Sequence, residues 1–399
     1  MIQLDKEFDA ILHEIKSKDF KGPDLSDIIS QQPFLFFAII NNKNYLGKII
    51  NKPFSIIAKK YNKYLREYLG YNKTQKFAQV HALIISALIT RYKVKSNSEY
   101  LETIEYLFED IFSFRNKDFD LHCWGQPYDW PSRHMMKKNT PRATVSSQVA
   151  SVCLEYYLLT GKEKYLSIAE EVCEVFMLHF NYTPDKDGDY CLSYTTKDNY
   201  HVHNPSMMVA ALFYEVANVT KSKKLFDFAN HLINFTVKHQ NEDGSWYYRA
   251  LPDKIQGVID NYHTGYVLES FVKILNIKEN EVYKKAYEKG LQYYEDHFFT
   301  EDFESKLRHN RTFPIDIQSC AQSIITLSFA NQYQYSKKRK NLISNILSWT
   351  MNNMFDNDSK QFYYQKYQNN KVDKSSFLRW GDAWMLIGLA LVIKQNKND

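Results

Sequence analysis

Six stretches of the chain repeat one pattern. Apolar residues recur at i, i+3, i+4 and i+7 with Ala, Ser or Gly between them, as in Met207-Met208-Val209-Ala210-Ala211-Leu212. The stretches cover 77–92, 143–159, 204–219, 262–275, 316–333 and 377–394, a period of about sixty residues. Helices that are apolar on most sides are buried helices. A more amphipathic helix is predicted after each of the first five, over 98–114, 163–180, 223–239, 281–298 and 337–354. These carry charges on one side, as in Glu281-Val-Tyr-Lys-Lys-Ala-Tyr-Glu-Lys-Gly, the mark of a half-exposed outer helix.

Short polar turns such as Thr160-Gly161-Lys162 link each inner helix to its outer partner, which forces hairpins. The expected fold is therefore all-α, an (α/α)6 toroid of six inner and six outer helices. The sixth inner helix has no outer partner after it. A closed ring takes one from the N-terminal region, with 54–68 the expected segment. Residues 1–50 read as an N-terminal extension packed on the ring, and 51–399 as the toroid domain. An open solenoid of the same hairpins is the alternative.

The connections are asymmetric. The outer-to-inner loops are long: 115–142, 181–203, 240–261, 300–315 and 355–376. Long ordered loops usually carry function. All lie on the face where the inner helices begin, and short β-hairpin-like excursions are expected in them. Six helix N-termini point toward that face and favour an anionic ligand.

Composition agrees with helices. The chain has 399 residues, and only 12 Gly and 10 Pro to supply turns. A net charge of +5 is too small to imply nucleic acid. The 30 Tyr and 16% aromatic content fit a sugar-stacking surface. Five cysteines with no C-x-x-C spacing indicate neither a disulfide framework nor a zinc ribbon. No signal peptide pattern opens the chain and no apolar run is long enough to span a bilayer, so the expected location is cytoplasmic.

The loops hold the candidate chemistry. Tyr262 and His263, at the mouth of an inner helix, form the leading acid/base pair, with Asp260, Asp316 and His203 as further catalytic candidates. Asp260 and Asp316 also stand where a helix N-cap belongs. His201 and His203 have no third ligand defined, so no metal is assigned, and no cofactor. Substrate-binding candidates are Trp124, Asp129, Trp130, Arg133, Arg142, Asn204, Trp246, Tyr247, Gln318, Arg379, Trp380 and Asp382. The tryptophans serve either stacking or packing.

Several of these runs together resemble one family. They are Trp124-Gly-Gln-Pro-Tyr-Asp-Trp, Asp243-Gly-Ser-Trp-Tyr-Tyr, Ile259-Asp-Asn-Tyr-His-Thr-Gly-Tyr and Pro314-Ile-Asp-Ile-Gln-Ser-Cys-Ala-Gln. The family consists of uncharacterised α/α-toroid proteins encoded among bacterial surface-polysaccharide genes. The resemblance covers about residues 70–395 and implies glycan biosynthesis or modification. Asp260-Asn-Tyr-His-Thr is also similar to the helix start in the toroid domain of glucuronyl C5-epimerases, over about 30 residues. That likeness implies roles for Tyr262 and His263. The epimerases' Arg and Tyr-Asp-x-x-His signature has no counterpart here. Gln240-x-x-x-Gly244-x-Trp246 matches the repeat of triterpene cyclases once, without their acidic motifs.

The leading expectation is a glycan-acting enzyme of surface-polysaccharide assembly: a uronate epimerase, a lyase or a glycoside hydrolase. Its partner is an oligosaccharide or polysaccharide. An epimerase or lyase removes the proton α to a carboxylate. A hydrolase flanks the bond with two carboxylates, from among Asp129, Asp260, Asp316 and Asp382. The rivals are a non-catalytic toroid binding glycan or protein, and a terpenoid-cyclase-like protein.

Overall fold

The computed structural model describes residues 2–30, 62–71, 73–131 and 135–397. Six inner helices form a closed ring: α3 (Ala78–Val94), α5 (Ala143–Thr160), α7 (His203–Thr220), α9 (Asn261–Ile277), α11 (Ile317–Tyr333) and α13 (Asp382–Lys397). Each packs on the next, and α13 returns to α3. Outside them lie α4 (Ser98–Ser113), α6 (Glu163–His179), α8 (Lys223–Lys238), α10 (Glu281–His297) and α12 (Lys337–Met354), each on its inner partner. The fold is the (α/α)6 toroid, and the open solenoid is excluded by the α13–α3 contact.

Local signals start and stop these helices. Asn97, Ser222, Asn280 and Ser336 cap the outer helices α4, α8, α10 and α12 with their side chains. Gly161 ends α5 at φ 70°, a left-handed position that suits glycine. The small residues of the inner helices let neighbours approach. A Cβ on Gly265 of α9 would stand 2.5 Å from Thr326 Oγ1 of α11.

The N-terminal segment packs on the last inner helix. Helix α1 (Ile2–Ser17) packs against α13, with Phe8 and Ile11 wholly buried. Tyr100 of α4 donates to Asp9 at 2.7 Å, and an Arg91–Asp5 ion pair ties α1 to α3. Of the segment expected there, residues 54–61 lie outside the described residues. Asn62–Leu69 forms α2, whose Arg66 is paired with Asp27 and donates to the Asp24 carbonyl at 2.5 Å.

The long loops do carry short antiparallel strands. β1 (Trp130–Pro131) pairs with β2 (Met135–Met136), and β3 (Tyr182–Pro184) with β4 (Tyr190–Leu192). β5 (Lys306–Arg308) and β6 (Arg311–Asp316) join the last long loop in a four-stranded sheet. β6 runs straight into the cap of α11. No described helix is long and apolar enough to cross a membrane.

Candidate functional site

Five of the six inner helices, and the residues just before the sixth, contribute to one cavity at the loop face. Its volume is about 210 Å3. The first two turns supply Gln79, Thr144 and Gln148, Asn204 and Met208, Tyr262, His263 and Tyr266, and Gln318, while Arg379 and Trp380 precede α13. The loops add Gln126, Tyr128, Trp130, Tyr194 and Tyr248, and Ser26 comes from the N-terminal segment. The sequence thus converges on the cavity as the loop asymmetry implies. Gln79, Gln126, Tyr128, Thr144, Gln148, Tyr194, Met208, Tyr248, Tyr266 and the N-terminal segment are not among the expected site residues.

Among the described residues, His263 is the one imidazole on the wall. Asp260 is the N-cap of α9, and its Oδ1 accepts the His263 backbone N–H at 3.0 Å. The same i, i+3 spacing puts the ring over the other carboxylate oxygen, with Nδ1 2.7 Å from Asp260 Oδ2. A carboxylate oxygen accepts here, so Nδ1 is the protonated nitrogen, and in the neutral ring Nε2 keeps its lone pair toward the cavity. Asp260 therefore caps the helix and orients the imidazole at once. The rings of Tyr248 and Tyr262 flank His263, with centroids 4.4 and 4.5 Å away. Burial holds the Tyr262 and Tyr266 phenols well above their usual range, so both stay protonated. Gln318 Nε2 donates to the Tyr266 hydroxyl at 2.9 Å.

Two arginines reach the wall, in different electrostatic states. Arg379 is neutralised by Asp24, which accepts from its Nε at 2.5 Å and Nη2 at 3.0 Å. Arg142 is only 7% exposed, and its guanidinium stacks on Trp130 at 4.4 Å from the ring centroid. No carboxylate among the described residues lies within ion-pair distance of it. Burial lowers its pKa, the sign of a cation short of partners. Arg249, on the same face, instead stacks on Tyr200 and faces Asp253 at 3.9 Å.

The wall also holds unsatisfied acceptors. Gln148 Oε1, Asn204 Oδ1 and Gln318 Oε1 are buried without a protein hydrogen-bond partner. Buried polar atoms are normally paired, so these are built for donors brought by water or ligand, such as hydroxyl groups. Among the described residues no group of three or more His, Cys, Asp or Glu is placed to hold a metal ion.

The other candidates lie elsewhere. His203 is buried beneath the loop with Nδ1 3.4 Å from Thr236 Oγ1, and desolvation lowers its pKa to about 3. Asp316 caps α11, accepting from Gln318 N at 3.0 Å and Gln365 Nε2 at 2.9 Å; it is off the cavity wall. Trp124 and Trp246 are core residues doing the same job in two repeats. Their indole N–H groups donate to Ile111 O at 2.8 Å and Thr236 O at 3.0 Å, in the last turns of α4 and α8. Each of these last-turn carbonyls lacks the usual i+4 donor and takes only a cap N–H three residues on, from Phe114 and His239, which leaves a lone pair for the indole. Tyr247 is 39% exposed and its neighbour Tyr248 faces the cavity. Asp129 accepts from Lys138 N at 2.6 Å and ties together the two open ends of the β1–β2 pair. Asp382 is buried behind Phe362 and Ser376, both donors to it, at 2.8 and 2.9 Å. Arg133 lies outside the described residues. Trp130, Arg142, Asn204, Gln318, Arg379 and Trp380 do line the cavity with Tyr262 and His263.

No protein-family model matches the chain, and no curated protein matches its sequence. Its fold is similar to solved sugar enzymes at low identity. Cellobiose 2-epimerase from Bacillus thermoamylovorans B4167 aligns over 80% of this chain and 88% of its own, with 12% identity and a TM-score of 0.63. A GH76 α-mannanase from Bacteroides thetaiotaomicron aligns over 82% and 89%, with 11% identity and a TM-score of 0.63. A polysaccharide lyase aligns over 85% and 96%, with 14% identity and a TM-score of 0.58. At these identities the likeness establishes the toroid.

Proposed function

We propose that this protein is a glycan-acting enzyme that removes the proton next to the carboxylate of a uronic acid residue, as a C5-epimerase or a lyase. The observation that carries the reading is the composition of the wall. It holds an oriented imidazole and an unpaired arginine, and none of its described residues is Asp or Glu. A two-carboxylate hydrolase needs the opposite inventory.

In this account the neutral His263 Nε2 takes the C5 proton, and Asp260 stabilises the resulting imidazolium. The C–H electron pair moves into the carboxylate, giving an enediolate whose charge meets the Arg142 guanidinium. A protonated tyrosine, Tyr262 or Tyr266, then completes the step. It returns a proton to C5 on the other face, giving the epimer, or protonates the C4 oxygen as that bond breaks, giving the unsaturated sugar. Gln148, Asn204 and Gln318 accept sugar hydroxyls, and Trp130 and Trp380 stack on the ring.

The named epimerase and lyase with this fold support sugar chemistry of this kind. A role in surface-polysaccharide biosynthesis or modification follows from the sequence resemblance described above. Proton NMR of uronate oligosaccharides incubated with the protein in D₂O tests the reading. Loss of the C5–H signal supports it. New reducing ends without that loss would make the protein a hydrolase, and binding without any reaction would make it a glycan-binding toroid.

A further inference from the structure

A second depression lies beside the central cavity, on the other side of a shared wall. Its volume is about 660 Å3. The wall is residues 125–128, which alternate: Gln126 and Tyr128 face the cavity, Gly125 and Pro127 this groove. Likewise Gln79 faces the cavity and Ala78 the groove. The groove is lined by Lys73, Lys76, Arg115, Lys117 and Lys138 and, among the described residues, by a single carboxylate, Asp118. That is an excess of charge close to the net +5 of the whole chain.

Most of this charge is uncommitted. Lys76 is held by Asp110 at 2.6 Å and Asp19 at 3.0 Å. Arg115 donates to two carbonyls, Phe119 O and Asp120 O, and keeps its charge. Lys73, Lys117 and Lys138 are exposed, and none has an ion-pair partner among the described residues. The floor beneath them is fixed. Buried Asn116 donates to Asn139 O at 2.7 Å, and Asn139 bridges Phe114 O and Gly125 N at 3.1 and 2.9 Å. A rigid concave strip of like charge focuses an anionic ligand.

We infer that this groove binds the continuing chain of an acidic polysaccharide whose reacting sugar occupies the central cavity. The inference rests on the uronate reading of that cavity. Its chemistry requires regularly spaced carboxylates or sulfates, which a neutral glycan lacks. Substrates longer than the cavity then gain affinity through salt-sensitive contacts.

The test is fluorescence anisotropy with labelled glucuronic acid oligomers, one of two sugars and one of roughly ten. The wild type is compared with the triple variant Lys73→Gln, Lys117→Gln, Lys138→Gln over a range of salt. The groove predicts a weakening of roughly tenfold for the long oligomer only, with a log–log salt slope shallower by about two to three. Equal losses for both oligomers, or none, would overturn it. So would a single-stranded DNA of similar length binding as tightly as the acidic glycan. Binding is read without turnover, so an inert central cavity with an intact length effect would refute the catalytic reading and leave the groove standing.

Discussion

Asp24 and Arg379, 355 residues apart, form a buried bidentate ion pair at the edge of the central cavity, with Nε–Oδ2 2.5 Å and Nη2–Oδ1 3.0 Å. Asp24 is wholly buried and also accepts from the Tyr128 hydroxyl at 2.9 Å, Trp380 Nε1 at 3.2 Å and Ser26 N at 2.8 Å. One carboxylate therefore fixes four groups whose residues line the cavity. Burial alone would raise its pKa, but the Arg379 charge and these donors more than offset that and hold it below the usual value.

Removing one partner leaves a buried charge exposed to nothing. Asp24→Ala is expected to cost about 3–5 kcal/mol in urea unfolding. The double variant Asp24→Asn, Arg379→Gln costs less than the single one, because no charge is stranded. The pH sign follows from the lowered pKa. The stabilisation is complete above the ordinary carboxylate range and is lost as pH falls through and below it.

The pairing also frees Arg142 for a ligand. With Arg379 neutralised, Arg142 is the wall's uncompensated cation. Arg142→Gln is expected to raise KM for a uronate substrate by roughly tenfold to a hundredfold, the worth of a charge-assisted hydrogen bond. Binding of the neutral sugar of the same shape stays unchanged. Equal effects on both would assign Arg142 to packing on Trp130.

Asp382 gives a pH prediction of the opposite sign. Burial raises its pKa to about 6, against 3.8 in the open chain. The folded state then prefers the protonated form, so this group's contribution to stability falls as pH rises from about 4 to 6. Asp382→Asn keeps the neutral form. Thermal unfolding should favour the variant over the wild type increasingly between those limits, by on the order of 3 kcal/mol. A gap that does not change with pH contradicts the assignment.

Packing makes its own prediction. A Cβ at Gly290 of α10 would stand 2.4 Å from the Trp246 ring. Gly290→Ala should destabilise by about 1–3 kcal/mol through overpacking, while turnover per folded molecule persists, because Gly290 itself is off the cavity wall. Chemical denaturation and turnover, measured on the same sample, check both halves.

Much of the ring was legible because helix pairs are local. Each apolar stretch with small residues marks an inner helix, and the short turn after it forces the hairpin. Closure is not local. Leu4, Phe8, Ile11 and Ile15 make an amphipathic stripe in the sequence itself, but a stripe does not say which gap it fills, and it is α1 that packs on α13. The site divides the same way. Asp260 and His263 stand three residues apart at a helix start, so their contact can be read from spacing. Asp24 meets Arg379 only because the ring closes. Trp124 and Trp246 look like loop aromatics free to stack, yet each is turned inward by a last-turn helix carbonyl that no residue pattern displays.

The central claim is that His263, oriented by Asp260, abstracts the C5 proton. The most direct measurement is deuterium incorporation at C5 of a uronate oligosaccharide in D₂O, wild type against His263→Gln. The account predicts exchange in the wild type and a loss of roughly a hundredfold or more in the variant, with Asp260→Asn intermediate and all three proteins folded. Exchange that persists in His263→Gln would contradict it.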